Sequence, residues 1–299
     1  MESVIQEQLN VFREKRKNRG RLLINCPDQP GIVATVSKFL FDNGANIIES
    51  SQYTTNPEGG NFFMRVEFEC PEILLKKDQL NNQFQTIADK FSMDWKLTFV
   101  HDLKKTAIFV SKELHCLREL LWEWQNGDLL TDIALVVSNH EDSRAIVEAL
   151  DIPFYYIPAS KENRAEVEEK QLKLLKEYDI DLIILARYMQ ILTPSFVEAN
   201  PFKIINIHHS FLPAFIGARP YDRAYQRGVK IIGATSHYVT NDLDEGPIIE
   251  QDVLRVDHRD QIEDLKKSGR SIERSVLARA VKWHLEDRVI VHENKTIVF

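Results

Sequence analysis

The chain has 299 residues, enough for two ordinary domains that each bury a substantial core. Its 38 lysines and arginines are outnumbered by 45 aspartates and glutamates, and the net charge of −7 disfavours a surface built to bind nucleic acid. Three widely spaced cysteines fit no disulfide framework, and no segment is apolar enough for a secretory signal or a membrane span, so we expect a cytoplasmic protein without a membrane partner.

Residues 1–19 form a polar N-terminal extension that we expect to be helical. Across residues 20–101, the hydrophobic pattern predicts the order β-α-β-β-α-β, the ferredoxin-like or split βαβ arrangement. The predicted strands are 21–26, 45–53, 61–69 and 95–101, and the predicted helices are 32–41 and 78–91. A loop at residues 56–60 joins the second and third strands.

The segment at residues 23–33, LINCPDQPGIV, and NGANI at residues 43–47 resemble the ACT domain, a small regulatory module that often binds amino acids. The resemblance implies a homo-oligomer and an amino-acid effector site at Asp28, Gln29, Pro30, Gly31, Ile32 and Asn46. Gly31 at a helix start would let a ligand carboxylate approach exposed backbone N–H groups. Alternatively, Gly31 is only a turn glycine and the module is only an assembly surface.

Residues 102–105 are the predicted linker to a second domain at residues 106–299. Its alternating strands and helices predict a doubly wound, mostly parallel, Rossmann-like α/β sheet. The predicted strands are 106–110, 132–138, 154–157, 182–186 and 204–207, and the predicted helices are 114–124, 141–150, 161–178 and 195–200. The chain then departs from simple alternation, with strands at 233–238 and 247–256, a helix at 262–283 and a hairpin at 288–299.

The strand at residues 204–207 runs directly into polar residues, the place where open α/β sheets keep their ligands. The resemblance to the folate-dependent formyltransferase family, which uses 10-formyltetrahydrofolate, rests on four elements: Asn206-x-His208-x-Ser210-x-Leu212-Pro213, Gly217, His237-x-Val239 and Asp244-x-Gly246-Pro247-Ile248-Ile249. It implies that Asn206, His208 and Asp244 are catalytic. His209, Ser210 and His237 are expected to contact the substrate or support the site, although His237 could also simply end a strand.

These residue types suit attack on a formamide carbon. The Asn206 amide and a His208 ring N–H can donate to the oxyanion that forms. Asp244 can polarise the attacking nucleophile and move a proton toward the departing N10, directly or through a water. Whether His208 also delivers that proton is left open by the residue types. We expect no metal and no cofactor, because the chain has neither HExxH nor CxxC and Asn-x-His lacks further zinc ligands.

The stretch LARYMQILTP at residues 185–194 resembles the pterin-binding loop of the same family. The resemblance implies that the substrate contacts Met189, Gln190, Ile191 and Leu192, with backbone groups reading the pterin edge. Gln190 stands where many relatives carry arginine, which puts the inferred contacts to the glutamate tail in doubt. The alternative is that Met189 and Ile191 are ordinary core residues.

Two departures from the transferases bear on the reaction. Ribonucleotide transformylases place a phosphate-cradling glycine-rich turn after the first strand, whereas residues 110–117 here contain Glu113 and no glycine. His209 also replaces the usual proline. Together with the preceding ACT module, these features match the branch of the family in which water replaces the amine acceptor.

That match implies hydrolysis of 10-formyltetrahydrofolate to formate and tetrahydrofolate, supplying formate for purine synthesis and balancing one-carbon folate pools. The main alternative is formyl transfer to an amine acceptor. A non-catalytic folate- or amino-acid-binding regulator is the second alternative, and retention of Asn206, His208 and Asp244 together speaks against it.

Overall fold

The computed structural model describes residues 4–56, 58–160, 162–214 and 219–299. Gly217 of the predicted motif and Lys161 at the start of a predicted helix lie outside the described residues. The chain divides into two compact units. The first comprises the chain through Leu103 with Glu286–His292 and Ile297–Phe299, and the second comprises Lys104–Leu285 with Glu293–Thr296.

The first unit contains the predicted ferredoxin-like order. Its elements are α1 Val4–Lys15, β1 Arg19–Pro27, α2 Ile32–Asp42, β2 Asn46–Thr54, β3 Asn61–Glu69, a 3₁₀ turn Ile73–Leu75, α3 Lys77–Phe91 and β4 Asp94–Phe99. The sheet order is β2-β3-β1-β4, and every pairing is antiparallel. The fold prediction for this unit is confirmed. The 3₁₀ turn was not predicted, because three residues are too few to show a period.

One face of this sheet carries the core. Alternate residues of β3, beginning with Phe62 and ending with Phe68, pack with the buried faces of α2 and α3. The Phe39 and Phe84 rings, one from each helix, lie 5.1 Å apart, edge to face. Fully burying such a side chain stabilises the fold by about 1.5–3 kcal/mol. The edge strand β2, by contrast, is exposed along most of its length.

The opposite face of the sheet is covered by residues from the C-terminal segment. Arg65 is 3% exposed and donates from Nε to the Asp287 carbonyl at 3.0 Å and from Nη2 to the Glu286 carbonyl at 3.1 Å. Thr98 donates to the Asp287 carboxylate at 2.9 Å. A buried guanidinium must find acceptors, and these carbonyls supply them. Glu286–His292 and Ile297–Phe299 thus belong to the first unit, within the range 106–299 that the sequence predicts as the second domain.

The second unit begins with alternating strands and helices. Its elements are β5 Lys105–Val110, α4 His115–Gln125, β6 Asp132–Ser138, α5 Arg144–Glu148, β7 Phe154–Tyr156, α6 Arg164–Glu177, β8 Leu182–Ala186, α7 Pro194–Glu198, β9 Ile204–His208, α8 Pro220–Arg227, β10 Ile231–Tyr238, β11 Ile248–Arg255 and α9 Ile262–Leu285. The chain ends in the paired strands β12 Val289–His292 and β13 Lys295–Val298. Helix α8 was not predicted; it has eight residues and buries only Pro220, Tyr221 and Ala224.

The large sheet has the order β11-β10-β9-β8-β5-β6-β7. Strands β5 to β9 are parallel, and β10 pairs antiparallel with both β9 and β11. The order reverses between β5 and β8, the point at which doubly wound sheets bind ligands beyond their carboxyl ends. The predicted mostly parallel fold is confirmed. No helix in the described part of the chain has the length and apolarity to cross a membrane.

Candidate active site

Two neighbouring strands position the predicted catalytic residues. Asn206 and His208 alternate along β9 with isoleucines that are buried in the sheet. On β10, His237 lies opposite Asn206 and Thr235 lies opposite His208. The antiparallel pairing therefore delivers His237 to Asn206 from a segment 31 residues further along the chain.

The contacts of His237 define the orientation of the Asn206 amide. His237 is 2% exposed, and its Nδ1 lies 2.9 Å from the backbone carbonyl of Tyr238. Because a carbonyl only accepts, Nδ1 carries a hydrogen, and Nε2 of the neutral ring is then an acceptor. Asn206 Nδ2 lies 3.3 Å from that Nε2 and donates to it. One amide hydrogen is thus fixed, and the other is left to donate to a substrate oxygen.

His208 and Asp244 form the second half of the site. His208 Nδ1 lies 3.2 Å from Asp244 Oδ2, and His208 is 5% exposed. Its Nε2 is buried and has no hydrogen-bond partner among the described residues. Asp244 adopts a left-handed backbone with φ of 59°, which is costly for a non-glycine residue and is typical of functional sites.

The electrostatics of this pair place its proton on the histidine. Burial by itself raises the pKa of the Asp244 carboxyl, but the hydrogen bond from His208 holds that pKa well below its usual range. Asp244 is therefore ionised and accepts from His208 Nδ1–H. With a neutral ring, Nε2 can accept a proton from water; with a second proton, Nε2–H can donate to an oxyanion.

Gly246 lets the Asp244 loop approach β10. A Cβ at this position would lie 1.9 Å from the Tyr238 carbonyl oxygen, so no larger residue fits without moving the backbone. The predicted motif residue thus has a close-packing role beside Asp244. Ser210, predicted to contact substrate, donates its hydroxyl to the Ala214 carbonyl at 2.8 Å and so supports its own loop.

His209 lies between the His208–Asp244 pair and a buried polar cluster. Its ring centroid lies 5.2 Å from that of His208 and 6.2 Å from that of Tyr221. Burial and the nearby Arg187 charge lower the pKa of His209 to about 4, so its ring is neutral at neutral pH. Tyr221 in turn donates to Glu273 Oε1 at 2.7 Å.

Glu273 is the centre of this cluster, which sequence reasoning missed. It is 1% exposed, and its Oε2 lies 2.7 Å from His115 Nε2 and 3.5 Å from Arg187 Nε. The available signal was an acidic residue on the otherwise apolar buried face of α9. His115, Cys116 and Glu273 are also metal-ligand types within 4.8 Å of one another. Burial raises the pKa of the Cys116 thiol well above its ordinary value, and a protonated thiol is a poor ligand.

The predicted pterin loop follows β8 at the point where the strand order reverses. Arg187 and Met189 have left-handed backbones with φ of 63° and 56°, and the buried Tyr188 between them is anchored by Gln171, which donates to its hydroxyl at 2.6 Å. Met189 and Ile191 are 59% and 58% exposed, so they are not core residues. Leu192 packs partly against the core. Substrate contact by these residues and by Gln190 stays a prediction.

The predicted effector residues lie around the start of α2 in the first unit. Gly31 immediately precedes the helix with φ of 94°, and a Cβ there would meet open space. Asp28 accepts from the Thr54 hydroxyl at 2.7 Å, and Ile32 is buried in the core. Asn46 opens the exposed strand β2. Among the predicted effector residues, Gly31 is the one whose positive φ favours glycine.

Two family models match the chain, one in each of its two units. The Formyl transferase family model matches residues 104–281, and the ACT domain model matches residues 20–81. Formyltetrahydrofolate deformylase of Bacillus subtilis strain 168 is 68% identical over 299 residues, covering 100% of both chains. The corresponding protein of Synechocystis is 50% identical over 278 residues, covering 93% of this chain and 97% of its own.

Solved structures show the same relationship. The crystal structure of a formyltetrahydrofolate deformylase from Pseudomonas syringae superposes with a TM-score of 0.90 at 48% identity, covering 94% of each chain. Glycinamide ribonucleotide transformylase 1 from Symbiobacterium toebii gives a TM-score of 0.63 at 28% identity and covers 66% of this chain and 94% of its own. The chain therefore belongs to the formyltetrahydrofolate deformylase family.

Proposed function

We propose that this chain hydrolyses 10-formyltetrahydrofolate to formate and tetrahydrofolate. The observation that carries the proposal is the pairing of His208 with an ionised Asp244 beside the oriented amide of Asn206, in a chain 68% identical to a formyltetrahydrofolate deformylase. The substrate is a formamide, and these three side chains supply an oxyanion donor, a second donor and a base.

In the proposed mechanism, a water oxygen attacks the formyl carbon and the carbonyl oxygen becomes an oxyanion. The second Asn206 amide hydrogen and His208 Nε2–H donate to that oxygen. Asp244 Oδ1, 3.7 Å from His237 Nε2, is the carboxylate oxygen not engaged by His208 and accepts a proton from the attacking water. Collapse breaks the C–N10 bond, N10 takes up the proton held by Asp244, and the remaining acidic proton of formic acid is lost to solvent as formate leaves.

The chemistry needs no metal, because the amide of Asn206 and a ring N–H of His208 supply the oxyanion stabilisation that a Lewis acid would otherwise provide. Hydrolysis is favoured over transfer to a phosphorylated amine because Glu113 and His115 follow β5, where transformylases cradle phosphate. Glu113 is 53% exposed and lines the adjoining cavity, and residues 110–117 contain no glycine-rich turn whose backbone N–H groups could cradle a phosphate. This supports water as the acceptor.

The test is formate release from 10-formyltetrahydrofolate by the purified chain, with and without an added amine. We expect equimolar formate and tetrahydrofolate with no amine present. Formate or formylated product that appears only when an amine is supplied would make the protein a transferase and end the hydrolase proposal.

We further propose that the first unit binds an amino-acid effector and pairs with a second copy of the chain in a cytoplasmic enzyme that supplies formate for purine synthesis. Two features support this. Gly31 exposes the N-terminus of α2, and the edge strand β2 presents Ile47, Ile48 and Tyr53 to solvent. Light scattering should give a dimer or larger, and calorimetric titration with a panel of amino acids should give heat for at least one. A monomer that binds none would refute both points.

A further inference from the structure

A second cavity adjoins the catalytic centre at His209. Its volume is about 490 Å³, and its lining combines residues of α4, α8 and α9 with Arg187 at the end of β8. Four basic side chains, Arg187, Arg219, Lys266 and Arg270, line it together with three carboxylates, Glu113, Asp222 and Glu273. These charges nearly cancel in sum. Whether the cavity attracts an anion therefore depends on which charged groups are buried and how completely each one is paired.

Arg187 is the buried cation of this cavity. Its side chain is 13% exposed, and its Nε and Nη1 are buried without a hydrogen-bond partner among the described residues. Glu273 is its nearby carboxylate, 3.5 Å from Nε. That carboxylate already accepts from Tyr221 and lies 2.7 Å from His115 Nε2. Glu273 therefore compensates the Arg187 charge only in part.

A second buried polar atom lines the same cavity. His115 Nδ1 is buried without a hydrogen-bond partner among the described residues, and the nearest acid is Glu113 at 3.8 Å. Buried polar atoms are almost always paired in native proteins, so unpaired ones mark a place for a ligand or an ordered water. The unpaired guanidinium nitrogens of Arg187 favour a ligand that accepts hydrogen bonds and is negatively charged. His115 Nε2 donates to Glu273, so Nδ1 of the neutral ring is an acceptor and suits an ordered water.

We propose that this cavity binds the small carboxylate formate as it leaves the catalytic centre, with Arg187 as the anchoring cation. The proposal rests on the proposed function, because formate is the anion that hydrolysis generates beside His209. The formyl group of the substrate is uncharged, whereas the product carries a full negative charge, so Arg187 distinguishes product from substrate. The neutral His209 ring between them neither repels nor retains the anion.

Besides the carboxylates of Glu113 and Asp222, the lining of the cavity carries further basic side chains. Arg219 and Arg270 are both exposed, while Lys266 is paired with Glu263 at 2.7 Å. Cations along a cleft raise the local concentration of anions and guide their movement. Formate has three non-hydrogen atoms, which limits its dissociation constant to about the millimolar range. Such weak binding suits a product that must depart in every turnover.

The test is an NMR titration of the full-length protein with ¹³C-formate in the absence of folate. We expect saturable binding in the millimolar range and none for formamide, the uncharged analogue of similar size. Arg187→Met should weaken formate binding at least tenfold, and Arg270→Gln should weaken it two- to threefold. Lys267→Gln removes the same charge from the same helix but lies on a different surface, so it should bind formate like the parent protein.

Several outcomes would overturn the proposal. These are the absence of saturable formate binding, unchanged binding in both Arg187→Met and Arg270→Gln, or equal displacement of formate by the same concentration of chloride. If Arg187→Met does not fold by circular dichroism, Arg187→Lys keeps the charge without the planar fork, and about fivefold weaker binding is expected. Formate release from 10-formyltetrahydrofolate is measured separately. If the protein releases formate from the substrate but does not bind added formate, only this site is refuted. If it binds added formate but releases none from the substrate, only the hydrolase proposal is refuted.

Discussion

Asn206 and His237 face each other across the antiparallel strands β9 and β10, with Asn206 Nδ2 3.3 Å from His237 Nε2. His237 is held in turn by the Tyr238 carbonyl. The backbone ladder thereby fixes a side-chain amide at the position where an oxyanion would form, before any substrate binds. Such preorganised donors are among the largest contributors to enzymatic rate enhancement.

The first prediction concerns this pair. Asn206→Ala should lower kcat by about 10²- to 10³-fold because it removes an oxyanion donor. His237→Ala should lower kcat by about ten- to a hundredfold with little change in KM, because it only releases the orientation of Asn206. Steady-state assays of both variants and of the double variant check this. If the two losses multiply in the double variant, His237 does not act through Asn206.

The second prediction concerns Asp244. Asp244→Asn should lower kcat by about two to four orders of magnitude and keep tetrahydrofolate binding, since it removes an acid/base group and little volume. Fluorescence titration with tetrahydrofolate measures binding independently of turnover. Asp242→Asn, two residues away at an exposed position, is the matched control and should behave like the parent. Near-normal turnover in Asp244→Asn would remove Asp244 from the mechanism.

The lowered pKa of Asp244 also predicts that the stability of the folded protein depends on pH. Its pKa in the folded protein lies below the ordinary value, so the folded state favours the ionised carboxylate. The resulting stabilisation is present in full above the unfolded pKa of about 4 and is lost as the pH falls toward the lower folded value. Urea denaturation of parent and Asp244→Asn should therefore differ most at neutral pH. A constant difference down to pH 3 would contradict this assignment.

The third prediction concerns His209, whose lowered pKa affects the stability of the fold over a different pH range. Its pKa is about 4 in the folded protein against an ordinary value of 6.5, so the unfolded chain takes up the proton first as the pH falls. The free energy of unfolding should decrease by about 1–2 kcal/mol between pH 7 and pH 5 from this group alone. Comparing urea midpoints of the parent and His209→Asn at both pH values isolates that contribution. Parallel pH profiles of the two proteins would show that His209 titrates normally.

The fourth prediction concerns Gly269, which lies on α9 beneath the ring of Tyr221. A Cβ at Gly269 would come within 1.9 Å of the Tyr221 hydroxyl oxygen, the atom that donates to Glu273. Gly269→Ala should therefore destabilise the protein by about 1–3 kcal/mol despite the better helix propensity of alanine. Thermal or urea denaturation measures the change. Ser268→Ala is the neighbouring control and should be neutral or slightly stabilising, and equal stability gains in both variants would show that the Tyr221 ring moves without cost.

The His209 and Gly269 predictions both concern residues beside the cluster around Glu273. His115, Arg187 and Tyr221 reach this carboxylate from three different elements, and the His115 contact joins residues 158 positions apart. No short motif or periodic pattern in the sequence predicts that these residues contact one carboxylate. Each of these residues taken alone is compatible with an exposed loop or an ordinary helix face, so only the path of the chain shows that they act together.

The sequence by itself determined the order of most strands and helices and predicted Asn206, His208 and Asp244 as candidate catalytic residues. Buried strands and amphipathic helices leave a periodic pattern, because one face of each element must be apolar. The Asn206-x-His208 and Asp244-x-Gly246-Pro247 elements are readable because each lies within one short segment. The tertiary structure alone decided which side chains meet across segments: His237 with Asn206, the cluster at Glu273, and Arg65 with the carbonyls of Glu286 and Asp287. Buried polar groups take whichever partner the fold brings within about 3 Å, and that choice depends on how strands pair and helices pack.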